Sequence, residues 1–356
     1  MQPVVELSEA VIIGAGQAGL SSAYFLRRYG IEPVVLDAGQ GAGGAWRHRS
    51  PTLTMEKVHG VFDLPGVPQQ EAGGDGGRPA AEVVPAYYAA YESGTGLSVI
   101  RPVRVTAVRE GAAGRLAVGT DAGEWAARAV INATGTWTRP YWPYYPGAAR
   151  FAGRQLHYAA YRGPEEFAGR GVVVVGGGAS AMHVLSELAG VAAATFWVTR
   201  RPPVFRDDDF GLDARREAVA RVDSRVRAGL PPQSVVSVTG LTYSAVVREA
   251  MAKGVLNRLP MFERLVEDGV SWADGTRLAA DTIVWATGFR AALDHLAPLR
   301  LREPGGGIRV DGTQVVKEPR LQLVGYGPTA STIGANRAGR TAAANVRALL
   351  SGRLAA

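Results

Sequence analysis

The chain has 356 residues, 39 lysines and arginines against 32 aspartates and glutamates, a formal net charge of +7 and no cysteine. That length holds two domains with separate cores, and the missing cysteine excludes disulfides, thiolate metal sites and a dithiol redox relay. No charge-free apolar run of about 18 residues occurs and no basic-then-apolar leader opens the chain, so neither a membrane span nor export is expected and a cytoplasmic location is the default.

The first predicted element is a strand that runs into Gly14, Gly16 and Gly19 in a GxGxxG turn, with a helix after it and Asp37 at the end of the next strand. The spacing has a physical reason: one glycine permits the tight turn, the next lets backbone approach a pyrophosphate, and the third position needs a small residue where helix packs on strand. The anion meets free N–H groups at the helix start, and Asp37 is placed to accept hydrogen bonds from an adenosine ribose. After the segment Gly43-Gly44-Ala45-Trp46, residues 66–80 are rich in Gly and Pro and read as a surface loop. Val84, Tyr87, Tyr88 and Tyr91 follow at near-helical spacing and are expected in a core. A strand and a hairpin containing Trp125 then lead to Ala133-Thr134-Gly135, and Trp142, Pro143 and Pro146 mark an irregular crossover.

A second β-branched run enters Gly176, Gly178 and Ala181, with Ser180 opening the helix. Its following strand ends in Arg200 and Arg201 rather than in an acid. Arginine there can pair with a ribose 2′-phosphate, which favours NADPH; the alternative is a pair of solvated surface residues. Residues 212–229 read as an exposed basic helix with intermixed acids, and the scattered arginines lack the interleaved aromatics of a nucleic-acid groove, so no nucleic-acid partner is expected. A second hairpin-like stretch with Trp272 ends in Ala286-Thr287-Gly288, and a strand at 321–327 with a helix after Gly334 completes the chain. Two glycine turns, each answered by an Ala-Thr-Gly strand end, indicate an internal duplication and two bound nucleotides. Five histidines form no metal spacing, and no hydrolytic constellation is present.

The parts and their order resemble the flavin-containing monooxygenases, the family that also includes Baeyer–Villiger enzymes and has small bacterial members. Gly43-Gly44-Ala45-Trp46 is similar to the family's GGxW segment beside the flavin, and Phe151, Gly153, His157 and Tyr161 match its FxGxxxHxxxY fingerprint between the two nucleotide sites. The resemblance implies an α/β fold of two Rossmann-like dinucleotide-binding domains, the second inserted into the first: an FAD domain of residues 1–150 and 285–356, and an NADPH domain of residues 151–284. FAD is expected on Gly14, Gly16, Gly19, Asp37, Gly44, Trp46, Thr134 and Gly135, and NADPH on Gly176, Gly178, Ser180, Arg200 and Arg201.

The implied reaction is insertion of one oxygen atom from O2 into a small sulfide, amine or ketone through a flavin C4a-(hydro)peroxide. The partners implied are that substrate and O2, with a homodimer left open and no membrane. Two residues are candidates for the chemistry itself. His157 is either a satisfied structural histidine at the crossover or a proton carrier. Glu56 stands where the family often has a neutral donor, so its carboxylate is expected to favour release of hydrogen peroxide if it faces the flavin. An NADPH-driven flavin reductase or electron-transfer enzyme, and a non-catalytic nicotinamide-binding redox sensor, are the alternatives.

Overall fold

The computed structural model describes residues 5–58, 60–68, 75–206, 212–233, 240–330 and 332–352. A nine-stranded mixed sheet forms the first layer. Its middle is parallel: β1 (Val5–Ile13) lies between β2 (Val34–Leu36) and β6 (Glu124–Asn132), β3 (Val99–Ile100) continues the edge beyond β2, and Glu318–Leu323 pairs with the other side of β6. The expected hairpin is present as β5 (Leu116–Thr120) antiparallel to β6, with β4 (Val105–Glu110) outside it. The strands are covered on both faces, so Val11, Ile12, Val130 and Ile131 are all fully buried.

Helix α1 (Gln17–Arg28) covers this sheet beside the last helix of the chain, Thr332–Leu350. A Cβ on Gly339 would fall 2.7 Å from Ser21 Oγ, so small residues on both helices set their close approach. That last helix starts two residues before Gly334, not after it. Helix α2 (Ala80–Thr95) buries Val84, Tyr88 and Tyr91 completely, while Tyr87 is half-buried and donates to Val67 O at 2.8 Å. Within the glycine-rich loop, residues 69–74 lie outside the described residues.

A second, five-stranded sheet is parallel throughout, in the order Arg258–Pro260, β9 (Ala194–Thr199), β8 (Gly171–Val175), Thr282–Trp285 and β7 (Arg154–His157). Helix α3 (Ala179–Leu188) covers it against the helix Ala245–Ala252. The strands Gly269–Ser271 and Arg277–Ala279 form the second hairpin, with Trp272 at its turn.

One expectation needs correction. Helix α4 (Leu212–Arg227) is not simply a solvated basic face: Val222 and Val226 are fully buried, and Val226 joins the core of Leu296, Leu301 and Tyr326 under the first sheet. Arg227 reaches Asp311 at 2.9 Å. Two valines on one face outweigh the surrounding charge once a partner surface is available. The side chains of residues 212–219 lie outside the described residues.

Candidate functional site

At the first turn Gly14 has φ +100, and a Cβ there would meet Ala133 O at 2.6 Å; a Cβ on Gly19 would lie 1.9 Å from Gly14 O. Those two glycines are required by protein packing. Gly16 differs, because a Cβ there meets nothing within 4 Å, which leaves the start of α1 open to a ligand. Asp37 is buried just past β2, with Oδ2 accepting from Ala15 N and Oδ1 from Gly39 N, each at 2.7 Å. Each carboxylate oxygen keeps a further acceptor site. Gly44 rests on the turn, since its Cβ would fall 2.9 Å from Gly16 Cα, and so the segment that carries Trp46 is anchored over the glycine loop.

Thr134 and Gly135 follow the end of β6 beside this turn. Thr134 Oγ1 donates to Ala292 O at 2.7 Å and receives Asn132 Nδ2 at 3.0 Å, and Asn132 Oδ1 lies 2.6 Å from His295 Nε2. Burial pushes the His295 imidazole down to about 4, against the opposing charge of Asp294. The imidazole is therefore neutral and donates to Asn132.

The second turn repeats the logic. Gly176 has φ +150 and its Cβ would meet Ala286 O at 2.3 Å, whereas a Cβ on Gly178 meets nothing within 4 Å. Ala181 is fully buried at the close-packed third position, and Ser180 is half-buried in the first turn of α3. Arg200 and Arg201 are exposed beyond β9. Among the described residues neither has a carboxylate partner. Thr199 Oγ1 donates to Arg201 O at 2.8 Å and receives Arg258 Nε at 2.7 Å, so a third arginine stands at the same strand end.

Between the turns lies an aromatic seam. Trp137, just past Gly135, stacks on Phe289, just past Gly288, at 4.8 Å, and Phe289 meets His157 edge-on at 5.0 Å. His157 Nδ1 accepts from Ala159 N at 3.1 Å and Nε2 donates to Gly288 O at 3.0 Å. Both ring nitrogens are thus taken by backbone, and burial lowers the pKa of the ring. Arg49 lies in the seam, its Cζ 4.5 Å from the Trp137 ring and 5.3 Å from the Trp46 ring. Glu187 on α3 accepts from Thr52 Oγ1 and Tyr161 Oη, each at 2.8 Å, and faces His183 Nε2 at 3.0 Å. Glu56 is exposed and accepts from Thr54 Oγ1 at 3.4 Å. Neighbouring Lys57 reaches Glu249 at 3.3 Å.

Nearly the whole chain superposes on a flavin-containing monooxygenase from Stenotrophomonas maltophilia: 98% of this chain and 100% of that one, with a TM-score of 0.83 and 38% identity. This chain belongs to the flavin monooxygenase family. The family model described as pyridine nucleotide-disulphide oxidoreductase also matches residues 11–246, more than half of the chain, although the sequence has no cysteine for a disulphide relay. Indole-3-pyruvate monooxygenase YUCCA1 of Oryza sativa subsp. japonica is 34% identical over 215 residues, 59% of this chain and 52% of that protein, so the match spans about half the length of that relative. A cyclohexanone monooxygenase has the same fold, with a TM-score of 0.66 at 18% identity over 98% of this chain and 89% of that one.

In this flavin monooxygenase the structure gathers both glycine turns, both Ala-Thr-Gly ends and Trp46 around one seam, whereas the neighbours of Glu56 are Thr54 and Gly76. Four residues there were not singled out in the sequence: Arg49, Thr52, Trp137 and Glu187. Glu187 has a local signal, four positions after His183 on one helix face. The others meet partners far along the chain. No described helix is long and apolar enough to cross a membrane, and no group of three metal-ligating side chains occurs among the described residues.

Proposed function

We propose that this flavin monooxygenase holds FAD on the turn of Gly14, Gly16 and Gly19, holds NADPH on the turn of Gly176, Gly178 and Ser180, and delivers one oxygen atom from O2 to a small sulfide, amine or ketone. The observation that carries the reading is the pair of open glycines, Gly16 and Gly178, each at a helix start with room for a phosphate and both flanking one aromatic seam. FAD, when bound, supplies the two-electron exchange with NADPH and the activation of O2 that side chains cannot perform.

The chain's own residues bind and orient. Asp37 accepts from the adenosine ribose, Gly44 and Trp46 close over the FAD turn, and Thr134 and Gly135 border it. Arg200 and Arg201, whose charges have no carboxylate partner among the described residues, meet the 2′-phosphate. His157 acts as a positioning residue that ties the crossover to Gly288 through both ring nitrogens. Glu56 is exposed to water and accepts from Thr54. The inserted unit of residues 151–284 carries the nicotinamide turn and the unit of residues 1–150 and 285–356 the flavin turn, with the substrate between them.

The test is reconstitution with FAD followed by anaerobic addition of NADPH. The reading expects a yellow protein whose flavin absorbance bleaches on adding one equivalent of NADPH. A protein that takes up no FAD overturns it.

A further inference from the structure

Arg49 is the unexplained charge of the seam. Arg49 is half-buried, its Nε is buried without a hydrogen-bond partner, and no described carboxylate pairs with it. Burial lowers its pKa, and the titratable group beside it is Tyr158, whose own pKa burial raises. Cation–π contact with two indoles offsets part of the desolvation, yet buried donors in native proteins are almost always satisfied. The Nε–H is left for an acceptor that the chain itself does not provide.

The geometry limits what that partner is. Trp46 and Trp137 both approach the guanidinium carbon within cation–π distance, so ring surface covers part of the group and hydrogen bonding is left to its N–H edge. An edge of parallel N–H donors matches a planar two-oxygen acceptor. The position is fixed from both sides: Trp46 belongs to the segment seated on Gly16, and Trp137 stacks on Phe289 beyond the second Ala-Thr-Gly end. The phosphates of both nucleotides are accounted for elsewhere, at the starts of α1 and α3.

We propose that Arg49 binds a carboxylate on the substrate, so that the enzyme selects anionic small molecules over their neutral analogues. The inference rests on the seam being the substrate site of a flavin monooxygenase and narrows its substrate class to carboxylic acids that also carry the oxidisable sulfur, nitrogen or ketone. Arg49 contributes through binding, so its effect falls on KM rather than on kcat.

The test uses the FAD-loaded enzyme and one matched pair of sulfides, phenylthioacetate and phenylthioacetamide, which differ in charge and little in shape. Equilibrium binding is read from tryptophan fluorescence without turnover, and kcat and KM for sulfoxide formation are measured in parallel. Wild type is expected to bind the acid at least about tenfold more tightly than the amide. Arg49→Gln is expected to abolish that preference, Arg49→Lys to retain part of it, and FAD affinity to stay within about twofold. Equal binding of acid and amide by wild type overturns the proposal, and this result needs no variant to fold. A preference that survives Arg49→Gln also overturns it, and so does a large loss of FAD affinity in either variant, which would make the flavin the missing partner. Oxygenation of acid and amide alike would leave the monooxygenase reading standing and remove this one; acid-selective binding without sulfoxide would keep Arg49 as a carboxylate site and overturn its place in sulfide oxygenation.

Discussion

Thr52 Oγ1 donates to Glu187 Oε2 at 2.8 Å, joining the loop after the Trp46 segment to the helix that begins at the second glycine turn. The same carboxylate accepts from Tyr161 and faces His183, and its side chain is 9% exposed. This contact ties the two halves of the seam together at a buried charge. Truncating Glu187 to Ala orphans several buried donors at once and is expected to cost at least about 1–3 kcal/mol, read as a lower urea midpoint. Thr52→Val removes one donor and costs less.

The same carboxyl makes the clasp sensitive to acid. Burial raises the Glu187 pKa, but the adjacent His183 imidazole and the hydrogen bonds from Thr52 and Tyr161 outweigh it and hold the group below its ordinary value of 4.5. A folded-state pKa below the unfolded one contributes stability that is present above the unfolded value and lost as pH falls through the folded one. The stability gap between wild type and Glu187→Gln is therefore expected to close as pH falls below 4.5. Urea unfolding at pH 7 and at pH 4 or lower checks this, and a gap that widens in acid would contradict the assignment.

His295 acts in a separate window. Burial depresses its pKa from 6.5 to about 4, so the unfolded chain binds a proton between those values while the folded one does not. Stability is expected to fall as pH drops through this window and then level off. The total is bounded at about 3.5 kcal/mol, from about 1.4 kcal/mol per pKa unit over the shift from 6.5 to about 4. His295→Gln should flatten the slope between pH 6.5 and 4 and leave the acid limb of Glu187 in place.

The glycines divide into two kinds. Gly16→Ala and Gly178→Ala place a Cβ in open space, so both variants are expected to fold with unchanged apo stability while weakening retention of FAD and of NADPH respectively. Gly19→Val drives its Cβ to 1.9 Å from Gly14 O and is expected to destabilise the protein with or without FAD. Thermal melts of the apo proteins beside FAD and NADPH titrations separate the outcomes.

Nucleotide preference should follow Arg200 and Arg201. A charge-assisted hydrogen bond contributes about 1.5–3 kcal/mol, roughly ten- to hundredfold in affinity. Replacing either with Ala is expected to raise KM for NADPH and leave that for NADH nearly unchanged. Steady-state kinetics with both nucleotides reads this directly, and identical effects on the two would return the arginines to the solvated surface.

Legibility in the sequence followed the range of the contacts. Gly14, Gly16, Gly19 and Asp37 were readable because a turn, a helix start and a strand end impose their residue types within one local unit. Tyr88 and Tyr91 were readable from helical spacing. Thr52 and Glu187 lie 135 residues apart, and nothing local to either requires the other. Arg49 reads as one more arginine beside Arg47 until folding sets Trp137 against it. Helix α4 misled because its charges are visible in the sequence, whereas the surface that receives Val226 is assembled from residues 296–326.

The most direct test of the central claim is turnover of the FAD-loaded enzyme with NADPH, phenylthioacetate and isotopically labelled O2. One labelled oxygen atom is expected in the sulfoxide for each NADPH consumed, with the other recovered in water. NADPH consumption with no label in the product and all reduced oxygen recovered as hydrogen peroxide would contradict it and leave an NADPH-driven flavin reductase.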